Sequence, residues 1–199
     1  AQLNVYGIET ALEAAFIAQG VEPFEGRLAN LSDPRARAVL ERLRQDGADL
    51  MVSDGETQGW GIALARYKGL GAWAGVLAQV EMGDILRVPR VCVVADMGEV
   101  VDPDGARNQI EGGVVQSVSW ALKEAITLEG SRIATAGWED YPILFFSEAP
   151  QVRTVLIDRP LDPPLGCAEA VVGPASAAVG NGVQRLLGVP VRRLPLTRH

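Results

Sequence analysis

The sequence is poor in the residues that most often announce a chemistry. Among 199 residues there are two cysteines, Cys92 and Cys167, and one histidine, His199, at the C-terminus. Two cysteines without CxxC spacing exclude a disulfide framework and a cysteine-rich zinc site. The lack of an internal histidine excludes a Ser-His-Asp triad. Basic residues are outnumbered, 18 against 25 acidic, for a net charge of −7. A nucleic-acid surface needs clustered Lys and Arg to neutralise phosphates, so this balance argues against one. The one basic cluster, Arg192, Arg193 and Arg198, reads as a solvated terminus. No apolar run approaches the roughly 18 residues of a membrane span. GxSxG, P-loop and post-strand GxGxxG motifs are missing as well.

What is present suits a globular domain. Hydrophobic residues make up 48% and charged residues 22%, the ordinary balance for a chain that buries a core. The 22 glycines and 12 prolines sit at apparent turns rather than in a low-complexity tract. The opening AQLNVYGIET has no initiator Met and no signal-like segment, and reads as a processed or truncated start.

Periodicity predicts a first helix with Ile8, Leu12, Ala15 and Phe16 on its buried face and Gly20 as its stop. Asp33-Pro34 announces a second, with Val39, Leu40 and Leu43 buried and Gly47 ending it. The polar stretch 46–58 reads as a linker, which divides the chain into a helical segment, 1–47, and a domain, 48–199. Three strands follow, within 60–68, 72–82 and 85–96, with a hairpin at Gly83-Asp84. Pro89 places the third at a sheet edge or on a bulge. A helix is expected over 112–125, a strand over 151–158, a rigid loop over 159–166, and a small-residue helix opened by Pro174. Gly180 and Gly182 weaken that last helix in isolation, so close packing is expected to hold it. The irregular alternation of elements favours α+β, with helices layered on a mixed sheet.

Two segments invite chemistry. In Asn108–Gln116 a glycine pair, Gly112-Gly113, lies between the amides of Gln109 and Gln116. If the pair opens a helix, its exposed N–H groups suit a phosphate; from spacing alone an ordinary turn before a core helix is the plainer reading. In PPLGCAE, Glu169 follows a proline pair within an apolar stretch. Desolvation there would make it a usable general base. The competing reading is a surface carboxylate near a helix N-terminus.

These blocks together, DPDGARNQIEGGVVQSVSWALKEAITLEGSRI, WEDYPILFFSEAP, VLIDRP and PPLGCAEAVVGPASAA, resemble the C-terminal molybdenum-cofactor-binding domain of the xanthine oxidase/aldehyde oxidase family. The flavour is that of bacterial nicotinate or isoquinoline dehydrogenase large subunits. The opening stretch 4–40 resembles the segment that precedes this domain. The resemblance implies that Glu169 is the catalytic base beside molybdenum. It implies that Gln109, Gly112, Gly113 and Gln116 contact the cofactor. It also implies that Gly166, Cys167 and Ala168 form the turn that presents the glutamate. No residue of this chain is expected to ligate the metal.

The implied reaction is hydroxylation of an N-heterocycle or aldehyde with water as the oxygen source. The implied cofactor is molybdopterin cytosine dinucleotide, shared with another chain that carries the rest of the molybdenum subunit. Iron–sulfur clusters in a partner subunit would take the electrons. The implied compartment is the cytoplasm, with the periplasm as the other option. A non-catalytic structural or assembly fragment is the alternative. Two departures from the family pattern stand out. Ala168 replaces the second glycine of Gly-x-Gly-Glu, which strains the turn if that position needs a positive φ. Gly26 replaces a bulky apolar residue, which predicts looser packing there.

Overall fold

A computed structural model describes residues 2–196. Arg198 and His199 lie outside the described residues; Arg192 and Arg193 are exposed. The centre is a sheet of order β1-β2-β4-β7, with the short β3 (Leu86–Arg87) paired to β2. β1 (Gln58–Arg66), β2 (Trp73–Met82) and β4 (Arg90–Asp96) run antiparallel in turn, while β7 (Gln151–Ile157) is parallel to β4. The parallel pair is joined through α4 (Pro103–Leu122). This is the mixed α+β sheet that the sequence predicts.

Helices cover both faces, because the strands alternate two apolar sets. Val76, Ala78, Val93 and Ala95 pack with Ile110, Val114 and Val118 of α4 and with Ala178 of α5 (Val172–Leu187). Ile62, Leu64, Leu77, Cys92 and Val94 pack under Ala36, Val39, Leu40 and Leu43 of α3 (Pro34–Asp46) and Phe24 of α2 (Pro23–Asn30). α1 (Gln2–Gln19) lies on α5. Between α4 and β7 runs an excursion holding the two-residue strands β5 (Leu128–Glu129) and β6 (Arg132–Ile133). No described helix is long and apolar enough to cross a membrane.

Several expectations need correction. α1 buries Tyr6, Glu9, Thr10, Glu13 and Phe16, while Ile8 is 66% exposed. An apolar template misses this face because it carries carboxylates: Arg27 of α2 binds Glu9 at 2.8 Å and Glu13 at 2.9 Å. α4 begins at Pro103, capped by the Asp102 side chain on the Gly105 N–H. Gly112-Gly113 is therefore mid-helix, and its N–H groups belong to the helical ladder rather than to an anion site. α2 is absent from the sequence reading, although Glu22-Pro23 caps it as Asp33-Pro34 caps α3. The first half of the polar stretch 46–58 is anchored, with Leu50 buried and Asp49 paired to Arg90 and Arg153. Gly26 loosens nothing: a Cβ there would lie 2.7 Å from the Phe16 ring, which fills the space.

Other expectations hold. Around Pro89 the register slips by one residue, since Glu81 faces Arg87 but Ala78 faces Val91. The proline thus marks a bulge, and β4 stays interior to the sheet. The small-residue helix is held by close approach. A Cβ on Gly180 would meet the Tyr6 ring at 2.7 Å, and one on Gly61 of β1 would lie 2.2 Å from the Gly182 backbone nitrogen.

This packing can be tested at two points. Gly61→Ala drives a methyl group into backbone that cannot yield, so a loss of about 3 kcal/mol or more is expected by urea denaturation, at the high end for overpacking. The second point is Asp96, fully buried at the end of β4, which receives Arg35 at 2.5 Å and Arg159 at 2.6 Å. Burial alone pushes its carboxyl up; the two arginine hydrogen bonds outweigh that and hold it below the usual range. Its stabilisation is therefore complete above about pH 4, the ordinary aspartate value, and is lost as pH falls through the lower folded value. The denaturation midpoint of the wild type should drop in that acid window, and the drop should be smaller in Asp96→Asn.

Candidate active-site cleft

The cleft lies where the end of β1, the middle of α4 and the approach to α5 converge, and its volume is about 760 Å³. Gln109, Gly112, Gly113 and Gln116 line it from α4, and Ala168 and Glu169 from the turn before α5. Two segments far apart in sequence thus share one concavity. Gly166 and Cys167 do not line it. Gly166 is exposed, and Cys167 is buried in the core with its thiol against the Ala106 carbonyl at 4.0 Å. Burial pushes the Cys167 thiol up, which suits packing rather than reactivity.

The glycines do different things. Gly112 opens on free space, with no atom within 4 Å of a built Cβ. A Cβ on Gly113 would lie 2.7 Å from Val171 Cγ2 and 2.9 Å from the Ala168 carbonyl oxygen. Gly113 therefore lets α4 seat the turn that carries Glu169, while Gly112 leaves the cleft wall bare.

That turn is also held from behind. The loop 159–166 lies across the end of β4 through Arg159 N to Gly98 O (3.1 Å), Glu99 N to Asp162 O (3.1 Å) and Leu165 N to Met97 O (2.7 Å). Gly98, at φ +77°, admits the Pro163 carbonyl to within 2.1 Å of where a Cβ would stand. Arg159 fastens the same loop to Asp96. The turn itself closes through Ala170 N to Cys167 O at 3.0 Å. Among the described non-glycine residues only Lys68 has a positive φ. Ala168 is thus in ordinary backbone space, and the strain expected from replacing glycine does not arise.

Glu169 is exposed in this chain, so the burial expected around it is not supplied by these residues alone. Its carboxylate accepts a hydrogen bond from the Tyr67 hydroxyl. Asn108 lines the cleft too, as do Tyr67, Lys68 and Trp120, and these last three the sequence reading does not single out. The available signal is Tyr67-Lys68-Gly69 at the end of a strand, where Lys68 takes φ +48°. The Lys68 ammonium is raised above its ordinary value, first by Tyr67 and then by Glu169.

The family model of the molybdopterin cofactor-binding domain matches residues 41–150, which include the α4 wall of the cleft but not Glu169. A nicotinate dehydrogenase chain of Pseudomonas putida is 37% identical over 212 residues, covering 98% of this chain and 18% of that protein. The beta chain of isoquinoline 1-oxidoreductase from Brevundimonas diminuta is 29% identical, covering 88% of this chain and 23% of that protein. This chain therefore spans less than a quarter of the length of either relative. Among solved structures, quinoline 2-oxidoreductase from Pseudomonas putida 86 superposes with a TM-score of 0.60 at 28% identity, over 63% of this chain and 17% of that one. Aldehyde oxidoreductase from Desulfovibrio gigas superposes with a TM-score of 0.81 over 96% of this chain and 39% of that one; at 12% identity this likeness speaks for the fold. The chain belongs to the molybdopterin cofactor-binding domain family of xanthine oxidase-type enzymes.

Proposed function

We propose that this chain forms one wall of the active site of a molybdenum hydroxylase or dehydrogenase that oxidises an N-heterocycle or an aldehyde, with Glu169 as general base. The observation that carries the reading is one cleft in which Glu169 lies with Gln109, Gly112 and Gln116. The relatives with nicotinate and isoquinoline in their names favour the heterocycle.

The cleft residues fit a pterin dinucleotide. Gly112 leaves a bare stretch of helix for close approach, and a Cβ would intrude on that space. Gln109 and Gln116 offer neutral donors and acceptors to the polar edges of a heterocycle. When bound, the molybdenum cofactor, in our reading the cytosine dinucleotide form, supplies the two-electron redox chemistry. The chain contributes orientation and a proton acceptor. A carboxylate oxygen of Glu169 takes the proton from the water-derived hydroxyl that becomes the product oxygen, and later returns it to solvent.

The remaining walls and the electron-transfer path belong to the rest of the enzyme, including an iron–sulfur partner. Two features support that division. Glu169 is exposed here, whereas a working base gains from excluding water. The excursion between α4 and β7 leaves Trp138, Phe145 and Phe146 at 79%, 68% and 99% exposure, which is costly for an apolar surface with nothing over it.

Purified alone, the chain should therefore hold no stoichiometric molybdenum by mass spectrometry. In the assembled enzyme, Gly112→Val should lower molybdenum content while the circular dichroism spectrum stays unchanged; full metal content would exclude Gly112 from the cofactor wall. Glu169→Gln should keep near-normal molybdenum and lower turnover by about two to four orders of magnitude, the usual worth of general-base catalysis. Equal rates of metal reduction by substrate in a single turnover, wild type against Glu169→Gln, would show that Glu169 is not the base.

A further inference from the structure

The cleft holds a contact that the family resemblance does not assign. Tyr67 directly follows β1, with its ring packed against the core and its hydroxyl in the cleft, where it donates to Glu169 Oε2. The two residues are 102 positions apart, so only the fold brings them together. We propose that Tyr67 is a positioning residue for Glu169, its phenol holding the carboxylate at the cleft. The inference rests on Glu169 being the base.

Three observations carry it. Glu169 sits in a short turn with an exposed side chain, so its rotamers are not restricted by packing. Fixing an exposed carboxylate takes a directed donor, and Tyr67 is the residue that donates to it. Tyr67 is itself rigid. Its N–H bonds to Ala72 O at 3.0 Å, and its carbonyl accepts from Leu70 N at 3.2 Å and Gly71 N at 2.8 Å.

The third observation is the backbone of the next residue. Lys68 lies at φ 48°, ψ 23°, a left-handed conformation that side chains rarely adopt. A strained residue persists only where its surroundings over-determine it, and such positions gather at functional sites. Here the strained position folds the chain tightly after Tyr67, so that the phenol stays level with the turn on the far side of the cleft. The Lys68 ammonium, 5.0 Å from the Tyr67 ring centroid, adds positive charge beside the pair.

Tyr67→Phe keeps the ring and removes the donor, which makes it the test in the assembled enzyme. The expected kcat is lower by roughly tenfold, the scale of one hydrogen bond to a charged group, with KM and molybdenum content nearly unchanged. In single turnover, Glu169→Gln and Glu169→Gln/Tyr67→Phe should react at the same rate, because without the base there is nothing to position. Independently of catalysis, hydrogen exchange at the Ala170 amide, which closes the turn, should quicken in Tyr67→Phe. Wild-type kcat in Tyr67→Phe, or an equal fractional loss with and without Glu169, overturns the positioning role while leaving the base in place. Full turnover in Glu169→Gln overturns the base and the positioning role together.

Discussion

Helix α5 meets strand β1 backbone to backbone, and most of the architecture depends on that approach. Gly61 and Gly182 leave no room for a side chain between the two elements, and Gly180 gives the same clearance to the Tyr6 ring of α1. Close approach of this kind gains dispersion contacts along the whole helix and offsets the backbone entropy that glycine loses on ordering. Twelve of the sixteen residues of α5 are buried, so the helix is the inner layer of the domain and not a cover. Its position sets where the preceding turn can stand, and hence where Glu169 stands.

The outer edge of β1 shows how the rest of the chain accommodates that arrangement. β1 ends the sheet on one side and offers unpaired backbone groups there, a liability for any edge strand. Polar side chains cover them. The Ile62 carbonyl accepts from Asn181 at 2.8 Å and from Arg27 at 3.2 Å, and Glu9 bonds to the Leu64 backbone. Arg27 in turn ties Glu9 to Glu13, and Arg185 reaches Glu13 at 2.8 Å. Burial raises the Glu9 carboxyl, with Arg27 working against it. Charges this deep carry a large desolvation cost, so the cluster gives α1, α2, β1 and α5 a specific register more than it gives raw stability.

The cleft gathers contributions from all of these layers. α4 supplies the wall with the two amides and the bare glycine, the turn after β1 supplies Tyr67 and Lys68, and the approach to α5 supplies Glu169. Gly113 is what permits the last of these to meet the first, since its missing side chain is the seat of the Ala168 carbonyl. A mixed sheet with helices on both faces could be built without any of this. The site is an addition made where three elements converge, and at Gly113 two of them approach more closely than a side chain allows.

Much of this is legible along the chain. Asp33-Pro34 marks α3, alternating apolar residues mark the strands, Pro89 marks the bulge, and the block around Glu169 marks the carboxylate. These are local signals: a cap, a period of two, a fixed φ, a residue type in an apolar run. The buried face of α1 is not legible, because its carboxylates become buriable only when Arg27 and Arg185 arrive from other elements. The start of α4 is hidden because a glycine pair looks like a helix end, when in fact Gly113 is bare for the sake of a turn much later in the chain. The amino-acid sequence by itself determined most of the elements, the family and the candidate base. Only the tertiary structure decided that Tyr67 faces Glu169 and that Ala168 sits without strain. The first depends on a distance between segments far apart in the chain, which no local preference encodes, and the second on a backbone angle that residue type does not fix.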